Sequence, residues 1–264
     1  MKKRLDQILM ERSLFPSRAQ ARTAIMTGRV MIKGEKQMKP GTPIKEDAQI
    51  DIIGSDMPFV SRGGLKLAKA VKEYNLDFQG KIVVDIGAST GGFTDCALQN
   101  VAAKVYAVDV GYGQLAWSLR SDERVVVLEK ANARYLTTEQ IPELADFITT
   151  DASFISLKKL LPHLKGFLKE DGTFVVLIKP QFEAGREKVG KKGVVREPKT
   201  HVEVLTDLLN FFYQEDLALT ELTYSPIRGP EGNREYLAVL QKSAKDLDLS
   251  IIEPLVNSAF NEIN

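Results

Sequence analysis

Two stretches near the beginning of the chain carry apolar residues at the spacing of an amphipathic helix. They cover residues 5–9 and 19–25 and predict two short helices. Ser17 immediately precedes the second stretch and has the side chain of a helix N-cap, and Gly28 follows it, where a glycine commonly ends a helix. Short strands are predicted next, at residues 30–32 and 50–53. This part of the chain therefore predicts a small α/β unit.

From Lys81 onward, short apolar runs alternate with segments of helix length. The runs predict strands at residues 82–86, 105–108, 125–128, 147–150 and 174–178. Nearly continuous apolar strands separated by helices are typical of a parallel sheet that is covered on both faces. Two later runs, at 218–223 and 235–240, predict an antiparallel pair at the edge of the sheet. The predicted fold class is thus α/β, with a Rossmann-like seven-stranded sheet preceded by the small α/β unit.

Charge is distributed unevenly along the chain. The net charge is +1, yet residues 1–45 hold eleven Lys or Arg against three acidic residues, which gives +8 there. A basic segment on an otherwise acidic chain indicates a nucleic-acid-binding module, although a merely solvated basic face is the alternative. The predicted nucleic-acid contacts are Lys2, Lys3, Arg4, Arg18, Arg22, Arg29 and Lys33.

Composition excludes several classes of protein. The single cysteine, Cys96, rules out a disulfide framework, and one Cys with two His cannot supply a four-ligand zinc site, so no metal is expected. The longest apolar run, 174–178, is too short to cross a bilayer, and no signal peptide is recognisable. A cytoplasmic protein without membrane contact is therefore expected. The predicted domains are residues 1–54 and 61–264, joined by a linker at 55–60.

A glycine-rich turn follows the first strand of the predicted sheet. Its sequence, DIGASTGGF, begins with Asp85 at the end of a buried strand and leads into a helix near Phe93. Asp109 ends the second strand, where an acid can accept both hydroxyls of a cofactor ribose. A dinucleotide would call for G-x-G-x-x-G, and an acid directly before the turn fits the cationic methionine end of S-adenosylmethionine better than a pyrophosphate. We therefore predict S-adenosyl-L-methionine as the cofactor, with NAD and an unliganded turn as alternatives.

Further cofactor contacts are predicted where later strands end. Asn132 follows the third strand and can contact an adenine, and Phe154 follows the fourth and can stack on it, although a rim aromatic explains Phe154 equally well. The predicted cofactor-binding residues are Asp85, Gly87, Ala88, Ser89, Gly91, Gly92, Phe93, Asp109, Asn132 and Phe154.

Lysine at the end of a buried strand is costly unless it is paired or used, and Lys179 directly follows the apolar run of the fifth strand. Burial and a second lysine nearby, Lys66, favour a neutral amine there, which can take the proton of a ribose 2′-hydroxyl. Asp151 and Glu235 can hold the two lysines in place. A structural cluster of ion pairs is the alternative, and Lys69, one helical turn from Lys66, is a weaker candidate for its role.

The motifs SRGGLKL, DIGASTGGF, VDVGYGQLAWSLR, TTDASFISL, IKPQFE and GNREY follow one another over nearly the whole chain. In this order they resemble the TlyA family of bacterial rRNA 2′-O-methyltransferases, often labelled hemolysin A. The N-terminal part resembles an S4 RNA-binding domain, and the rest is similar to FtsJ-like methyltransferases. Their catalytic Lys-Asp-Lys-Glu set falls on Lys66, Asp151, Lys179 and Glu235.

This resemblance implies methylation of a cytidine ribose in ribosomal RNA, with ribosomal subunits as partners. One departure concerns the linker, because some members carry Arg-x-Trp-Val there and this chain reads DMPFV at 56–60. This departure leaves open whether the linker couples RNA binding to cofactor affinity.

Parts of the sequence also fit other functions, which are the alternatives to ribose methylation. A non-catalytic RNA-binding protein of ribosome assembly that retains the fold is the main rival, and a membrane-active toxin is the third class. Cys96 can serve as the nucleophile of a base methyltransferase, although a buried structural thiol is the better interpretation. The glycine- and lysine-rich segment 183–196 is predicted to be a mobile loop over RNA or cofactor, or else a plain connection.

Overall fold

The computed structural model describes residues 2–15, 17–53, 57–242 and 248–262. It divides into two compact units, Met1–Pro58 and Phe59–Asn264. Ser55 and Asp56 of the predicted linker lie outside the described residues. Phe59 and Val60 pack against the apolar core of the second unit, and the Val60 amide donates to Asp95 at 2.7 Å. The second unit thus begins at Phe59, two residues before the predicted start of the domain at 61.

Among its described residues, the first unit contains two helices and five short strands. In chain order they are β1 (Lys2–Arg4), α1 (Leu5–Glu11), α2 (Arg18–Met26), β2 (Val30–Ile32), β3 (Glu35–Gln37), β4 (Pro43–Lys45) and β5 (Ile50–Ile52). Strand β1 pairs with β4, and β2 lies between β3 and β5, all antiparallel. Both predicted helices and the strands β2 and β5 are present, whereas β1, β3 and β4 were not predicted. The Ser17 hydroxyl caps α2 by accepting from the Gln20 amide at 3.2 Å.

Apolar faces of the two helices and of β2 make up the core of this unit. One acidic residue, Asp6, is buried with them, and its side chain has no exposed surface. Its carboxylate accepts hydrogen bonds from Arg4 at 3.0 Å and from Arg18 at 3.1 Å. The Arg4 hydrogen bond is the main cause that lowers the pKa of Asp6 to about 2, with a further contribution from Arg18.

The second unit is an α/β domain. Its helices and strands in chain order are α3 (Gly63–Tyr74), β6 (Ile82–Ile86), α4 (Gly92–Gln99), β7 (Lys104–Val108), α5 (Trp117–Arg120), β8 (Val125–Leu128), β9 (Ala145–Thr150), α6 (Leu161–Leu164), β10 (Leu168–Ile178), α7 (Pro180–Glu183), α8 (Pro198–Gln214), β11 (Leu217–Tyr224), β12 (Tyr236–Lys242) and α9 (Ile252–Glu262). Seven strands build one sheet in the order β11-β12-β10-β9-β6-β7-β8. Strand β12 is antiparallel to both of its neighbours, and the other pairs are parallel.

Apolar layers cover both faces of this sheet, which explains the continuous apolar strands. Val83 faces the layer formed with α3 and α4, and its neighbour Val84 faces the layer formed with α8 and α9. The predicted seven-stranded α/β fold is confirmed. Strand β10 begins earlier than predicted, at Leu168, and Glu235 stands just before β12 instead of opening it. No helix in the described ranges is both long and apolar enough to span a membrane.

The buried carboxylate of Asp6 generates a prediction about the first unit. Asp6→Asn removes the charge that both arginines contact, so we expect the unit to lose about 1 to 2 kcal/mol of stability at pH 7. Because the folded pKa is depressed, this contribution is present above the ordinary value near 3.8 and is lost as the pH falls towards 2. Hydrogen exchange of α1 and α2 amides in the full chain measures it. Equal protection of both proteins at pH 7 would contradict the prediction.

Candidate active site

The glycine-rich turn after β6 is shaped by close contacts with its neighbours. Gly87 has a φ of +81°, and a Cβ there would lie 2.9 Å from the Cα of Ala152. Gly91 has a φ of +100°, and a Cβ there would lie 2.2 Å from Leu119. A side chain would therefore be strained by conformation at both positions. At Gly87 it would also meet the backbone, and at Gly91 the leucine side chain would have to move. The backbone turn lies directly against the segment after β9 and leads into α4.

Four charged side chains meet at the edge where the parallel strands of the sheet end. Asp151 directly follows β9, and Lys179 directly follows β10. Because β12 runs in the opposite direction, Glu235 just before it lies at the same edge. Lys66 reaches this point from α3. The structure thus brings together all four residues that the sequence predicts to be catalytic.

Asp151 contacts both lysines of this Lys-Asp-Lys-Glu cluster. Its Oδ1 lies 2.6 Å from Lys179 Nζ, and its Oδ2 lies 3.4 Å from Lys66 Nζ. Glu235 Oε2 lies 2.7 Å from Lys66 Nζ. Lys179 Nζ also donates to the Asp151 carbonyl at 3.0 Å and to Ser153 Oγ at 2.9 Å. Two ammonium groups are thereby balanced by two carboxylates.

Burial makes these ion pairs necessary. Lys66 and Lys179 each keep 6% of their surface exposed, and Glu235 keeps none. Burial acts to lower the pKa of Lys66, but the adjacent Asp151 and Glu235 outweigh it, so the pKa is raised above its ordinary value. Burial also raises the pKa of Glu235, against the opposing effect of Lys66. Unpaired charges at this depth would be strongly destabilising.

A cavity of about 370 Å³ opens beside this cluster. Lys66, Asp151 and Lys179 line it, together with the glycine turn and Phe93. Four polar side chains that are not among the predicted site residues also line it, and these are Ser61, Arg62, Ser153 and Arg228. Ser153 shares the motif TTDASFISL with Asp151, and Ser61 and Arg62 share SRGGLKL with Lys66, which was the available signal for them, whereas Arg228 lies outside the quoted motifs.

A second cavity of about 430 Å³ lies on the other side of the glycine turn. Asp109, Asn132 and Phe154 line it, as predicted for a cofactor site, and apolar side chains such as Ile86 and Leu160 complete its wall. The two cavities share the lining residues Gly87, Ser89, Asp151 and Ser153. A ligand in the second cavity can therefore present one end to the Lys-Asp-Lys-Glu cluster.

The polar residues of the second cavity are held by the backbone. Asp109 Oδ2 accepts from the Ser89 amide and Oδ1 from the Gly111 amide, both at 2.7 Å. Asn132 Oδ1 accepts from the Arg134 amide at 3.1 Å. Phe154 is 90% exposed, and its ring centroid lies 5.0 Å from that of Phe182. Phe154 is therefore a rim aromatic in this structure, with one face open to a ligand or to solvent.

Asp85 does not reach either cavity. Its side chain is fully buried and accepts from the hydroxyls of Thr94 at 2.7 Å and Thr149 at 3.0 Å. Burial is the main cause that raises the pKa of Asp85 to about 6. In this structure its carboxylate is thus directed between the two threonines and lines neither cavity. Asp85 instead connects β6 to α4 and β9 behind the glycine turn.

Two other sequence candidates, Lys69 and Cys96, take structural positions. Lys69 points away from the cluster and donates to the Tyr224 carbonyl at 3.0 Å. Cys96 is buried within α4, and burial raises the pKa of its thiol to about 12, as expected for a structural residue.

The segment 183–196 contains two short 3₁₀ turns, and both of its ends are anchored. Glu183 accepts from Ser156 at 2.6 Å, and the Val195 amide donates to Asn233 at 3.3 Å. Among the described residues, no group of acids, histidines and cysteine has the arrangement of a metal site.

Comparison with known proteins identifies the families that the two parts of the chain match. Residues 59–242 match the FtsJ-like methyltransferase family, and residues 3–50 match the S4 domain. The chain belongs to the FtsJ-like methyltransferase family.

Individual relatives show which FtsJ-like methyltransferases this chain is similar to. The 16S/23S rRNA (cytidine-2′-O)-methyltransferase TlyA of Mycobacterium tuberculosis is 41% identical over 98% of this chain and 97% of its own. The Bacillus subtilis protein YqxC, which carries an rRNA methyltransferase label, is 51% identical over 89% of this chain and 84% of its own. A solved structure from Streptococcus thermophilus with a hemolysin label has a TM-score of 0.78 and 43% identity, covering 99% of this chain and 96% of that one. The resemblance to the TlyA family is confirmed.

The S4 unit of this FtsJ-like methyltransferase carries the predicted nucleic-acid contacts. Lys2, Arg22 and Lys33 are exposed. Arg4 and Arg18 are about half exposed and share Asp6, while Lys3 is paired with Glu11 at 2.9 Å. The last predicted contact is half-buried Arg29. The basic residues thus differ in how much of their charge is already balanced.

Asp85 of the FtsJ-like methyltransferase domain generates a prediction about the direction in which stability changes with pH. Its folded pKa is raised to about 6, so ionisation of the wild-type carboxyl costs stability as the pH rises from about 4 through 6. Asp85→Asn keeps a neutral group of the same shape between the two threonines. We expect its unfolding free energy, relative to wild type, to rise with pH by at most about 3 kcal/mol.

Thermal unfolding of both proteins between pH 5 and pH 8, without added ligand, measures this difference. A difference that does not change with pH would contradict the assignment of a burial-raised pKa. Thr94→Val serves as the matched control, because it removes one hydrogen bond and leaves the carboxyl in place.

Proposed function

We propose that this chain is an S-adenosylmethionine-dependent ribose 2′-O-methyltransferase that acts on ribosomal RNA. The observation that carries the proposal is the buried Lys66–Asp151–Lys179–Glu235 cluster at the mouth of a cavity in an FtsJ-like fold. A purely structural set of ion pairs would not need to line a solvent-accessible cavity at the carboxyl ends of strands, which is where α/β sheets bind their ligands.

The second cavity fits the proposed cofactor. Asp109 offers a carboxylate for ribose hydroxyls, and apolar side chains together with Phe154 offer surfaces for an adenine. The reversed strand β12 between β10 and β11 distinguishes this sheet from the 3-2-1-4-5-6 order of dinucleotide-binding folds, which favours the methyl donor over NAD. When bound, S-adenosylmethionine supplies a methyl group made electrophilic by a sulfonium centre. Gly87 and Ser89 would hold it where the two cavities meet.

Lys179 is the proposed base. After release of one proton to solvent, its amine would take the proton of the ribose 2′-hydroxyl as the hydroxyl oxygen bonds to the methyl carbon. The bond from that carbon to the donor sulfur would break, and the sulfur would leave as a neutral thioether. Asp151 fixes the amine through the 2.6 Å contact and remains ionised beside the Lys66 ammonium. Glu235 balances Lys66, so that the positive charge of Lys66 stays in place while Lys179 changes its protonation state.

Ribosomal RNA as the substrate is supported by the S4 domain and by the relatives. The M. tuberculosis relative is named for cytidine 2′-O-methylation of 16S and 23S rRNA. We extend this to a cytidine ribose in an assembled ribosomal subunit for the present chain. The S4 domain supplies phosphate contacts that give affinity and little sequence choice. A cytoplasmic location follows from such a substrate and belongs to the same proposal.

Removing the proposed base tests the reaction. Lys179→Met keeps the length of the side chain and removes the amine, so we expect the rate of methyl transfer to fall by about 10² or more with little change in cofactor affinity. Hypomethylated ribosomal subunits are incubated with S-adenosylmethionine that carries a labelled methyl group. Mass mapping of the RNA then locates the label on a ribose.

Lys72→Met is the matched control, because Lys72 lies exposed on α3 and outside the cluster. Retained transfer by Lys179→Met would remove Lys179 from the mechanism. If the wild-type protein binds subunits and cofactor yet labels no ribose, the non-catalytic assembly protein becomes the better description.

The exposed basic residues of the S4 domain generate a separate prediction. Arg22→Gln is expected to weaken binding to ribosomal RNA similarly for all sequences and to reduce the salt slope of log K by about 1. Fluorescence anisotropy over a series of salt concentrations measures both quantities. Gln20→Ala, an exposed and uncharged position on the same helix, should leave them unchanged. An unaltered slope for Arg22→Gln would mean that Arg22 does not contact a phosphate.

A further inference from the structure

The C-terminal helix α9 lies outside the residues that match the FtsJ-like family, which end at 242. It packs on α8 and on β11, and Val256 and Ala259 belong to the apolar core. Packing alone accounts for these buried residues. The last turn of α9 additionally makes polar contacts with the two segments that flank the Lys66–Glu235 ion pair.

The first polar contact is made by Arg234, the residue directly before Glu235. Its Nε donates to the Ala259 carbonyl at 2.9 Å, and its Nη2 donates to the Phe260 carbonyl at 3.2 Å. The guanidinium also lies 4.0 Å from the centroid of the Phe260 ring. A cation at the carboxyl end of a helix is favoured by the partial negative charge there. The backbone that carries Glu235 is thereby attached to the end of α9.

The second contact is made by Tyr224, the last residue of β11. Its hydroxyl donates to the Glu262 carboxylate near the end of α9. Its carbonyl accepts from Lys69 at 3.0 Å, and its ring lies 3.8 Å beneath the same Lys69 ammonium. Lys69 stands one helical turn after Lys66 on α3. Tyr224 therefore connects the end of α9 to the helix that carries Lys66.

The segments carrying Tyr224 and Glu235 are also joined directly. Tyr224 lies opposite Tyr236 in the ladder between β11 and β12, and the Ser225 amide donates to the Glu235 carbonyl at 2.8 Å. The Glu262 hydrogen bond is the main cause that raises the pKa of Tyr224 to about 12, so its hydroxyl remains a donor at neutral pH. The contacts of α9 thus converge from two sides on one ion pair.

We propose that the last turn of α9 positions the Lys66–Glu235 pair, with Arg234 and Tyr224 as positioning residues for the methyl transfer. This inference rests on the proposed function, because the pair matters only if the cluster is catalytic. Neither residue lines either of the two cavities beside the glycine turn, so neither is expected to contact cofactor or substrate. Both act through Glu235 and Lys66, whose separation of 2.7 Å depends on the backbone segments that α9 holds.

The test compares Arg234→Met and Tyr224→Phe in the full chain. Arg234→Met keeps an unbranched apolar stem and removes the guanidinium, and Tyr224→Phe keeps the ring beneath Lys69 and removes the hydroxyl. Asn257→Ala, an exposed position on α9, is the matched control. Turnover, the affinity for S-adenosylmethionine measured by calorimetry, and the thermal midpoint are determined for each protein. We expect kcat to fall roughly tenfold for Arg234→Met and less for Tyr224→Phe, with cofactor affinity within about twofold of wild type.

Arg234→Lys provides a rescue, because an ammonium retains the charge and can still donate to the helix end. We expect it to recover most of the lost turnover. A kcat equal to wild type in a folded Arg234→Met protein would overturn the proposal, as would parallel losses of turnover, cofactor affinity and thermal midpoint. A wild-type protein that labels no ribose would instead overturn the proposed function itself, so the two failures are distinguishable.

Discussion

The carboxylate of Asp151 forms ion pairs with both lysines of the cluster, and the rest of the site depends on this shared carboxylate. Lys66 and Lys179 are almost entirely buried, and two ammonium groups in such a place would repel each other and lose their hydration. Asp151 lies between them at 3.4 Å and 2.6 Å and turns that repulsion into two attractions. Glu235 supplies the second negative charge. The net charge of the cluster is then close to zero, which allows it to remain buried beside an apolar sheet.

The sheet topology is what allows four distant segments to supply these charges. Parallel strands end at one edge, so Asp151 and Lys179 come together through the pairing of β9 with β10. Reversal of β12 is required for Glu235, because a parallel strand in that place would put the residue before it at the opposite edge. The glycine turn contributes by its lack of side chains, since Gly87 lies against Ala152 and thereby sets the wall between the two cavities.

Sequence patterns predicted the parts of the fold in which burial decides the conformation. Strand β6 was predicted within its observed bounds because both of its faces are covered. The strands β1, β3 and β4 read KKR, EKQ and PIK, so they lack the apolar residues that marked the equally short β2 and β5, and they were missed. The polar beginning of β10 was missed because it continues as a strand only through an irregular register with β9.

For the candidate site, the sequence likewise predicted some features and missed others. It predicted the types of the residues, but not the directions in which their side chains point. Residue type and strand position predicted that Asp151, Lys179 and Glu235 stand at the ends of strands, and the structure brings these three together with Lys66 of α3. They did not predict the direction in which Asp85 points, because a strand residue beside a turn can face a cavity or the core. Thr94 and Thr149, distant in sequence, supply the hydroxyls that make the inward position possible.

The net charge of the S4 domain, counted from the sequence, does not show how its charged residues pair in the structure. Arg4 and Arg18 share the single carboxylate of Asp6, so the three residues together retain one positive charge. The contacts use two nitrogens of Arg4 and one of Arg18, whereas a guanidinium has five N–H donors, and both side chains are more than half exposed. Buried Asp6 therefore orients two guanidinium groups without neutralising both. A basic surface built in this way keeps part of its charge and gains a fixed geometry, which lowers the entropy lost when an anionic partner binds.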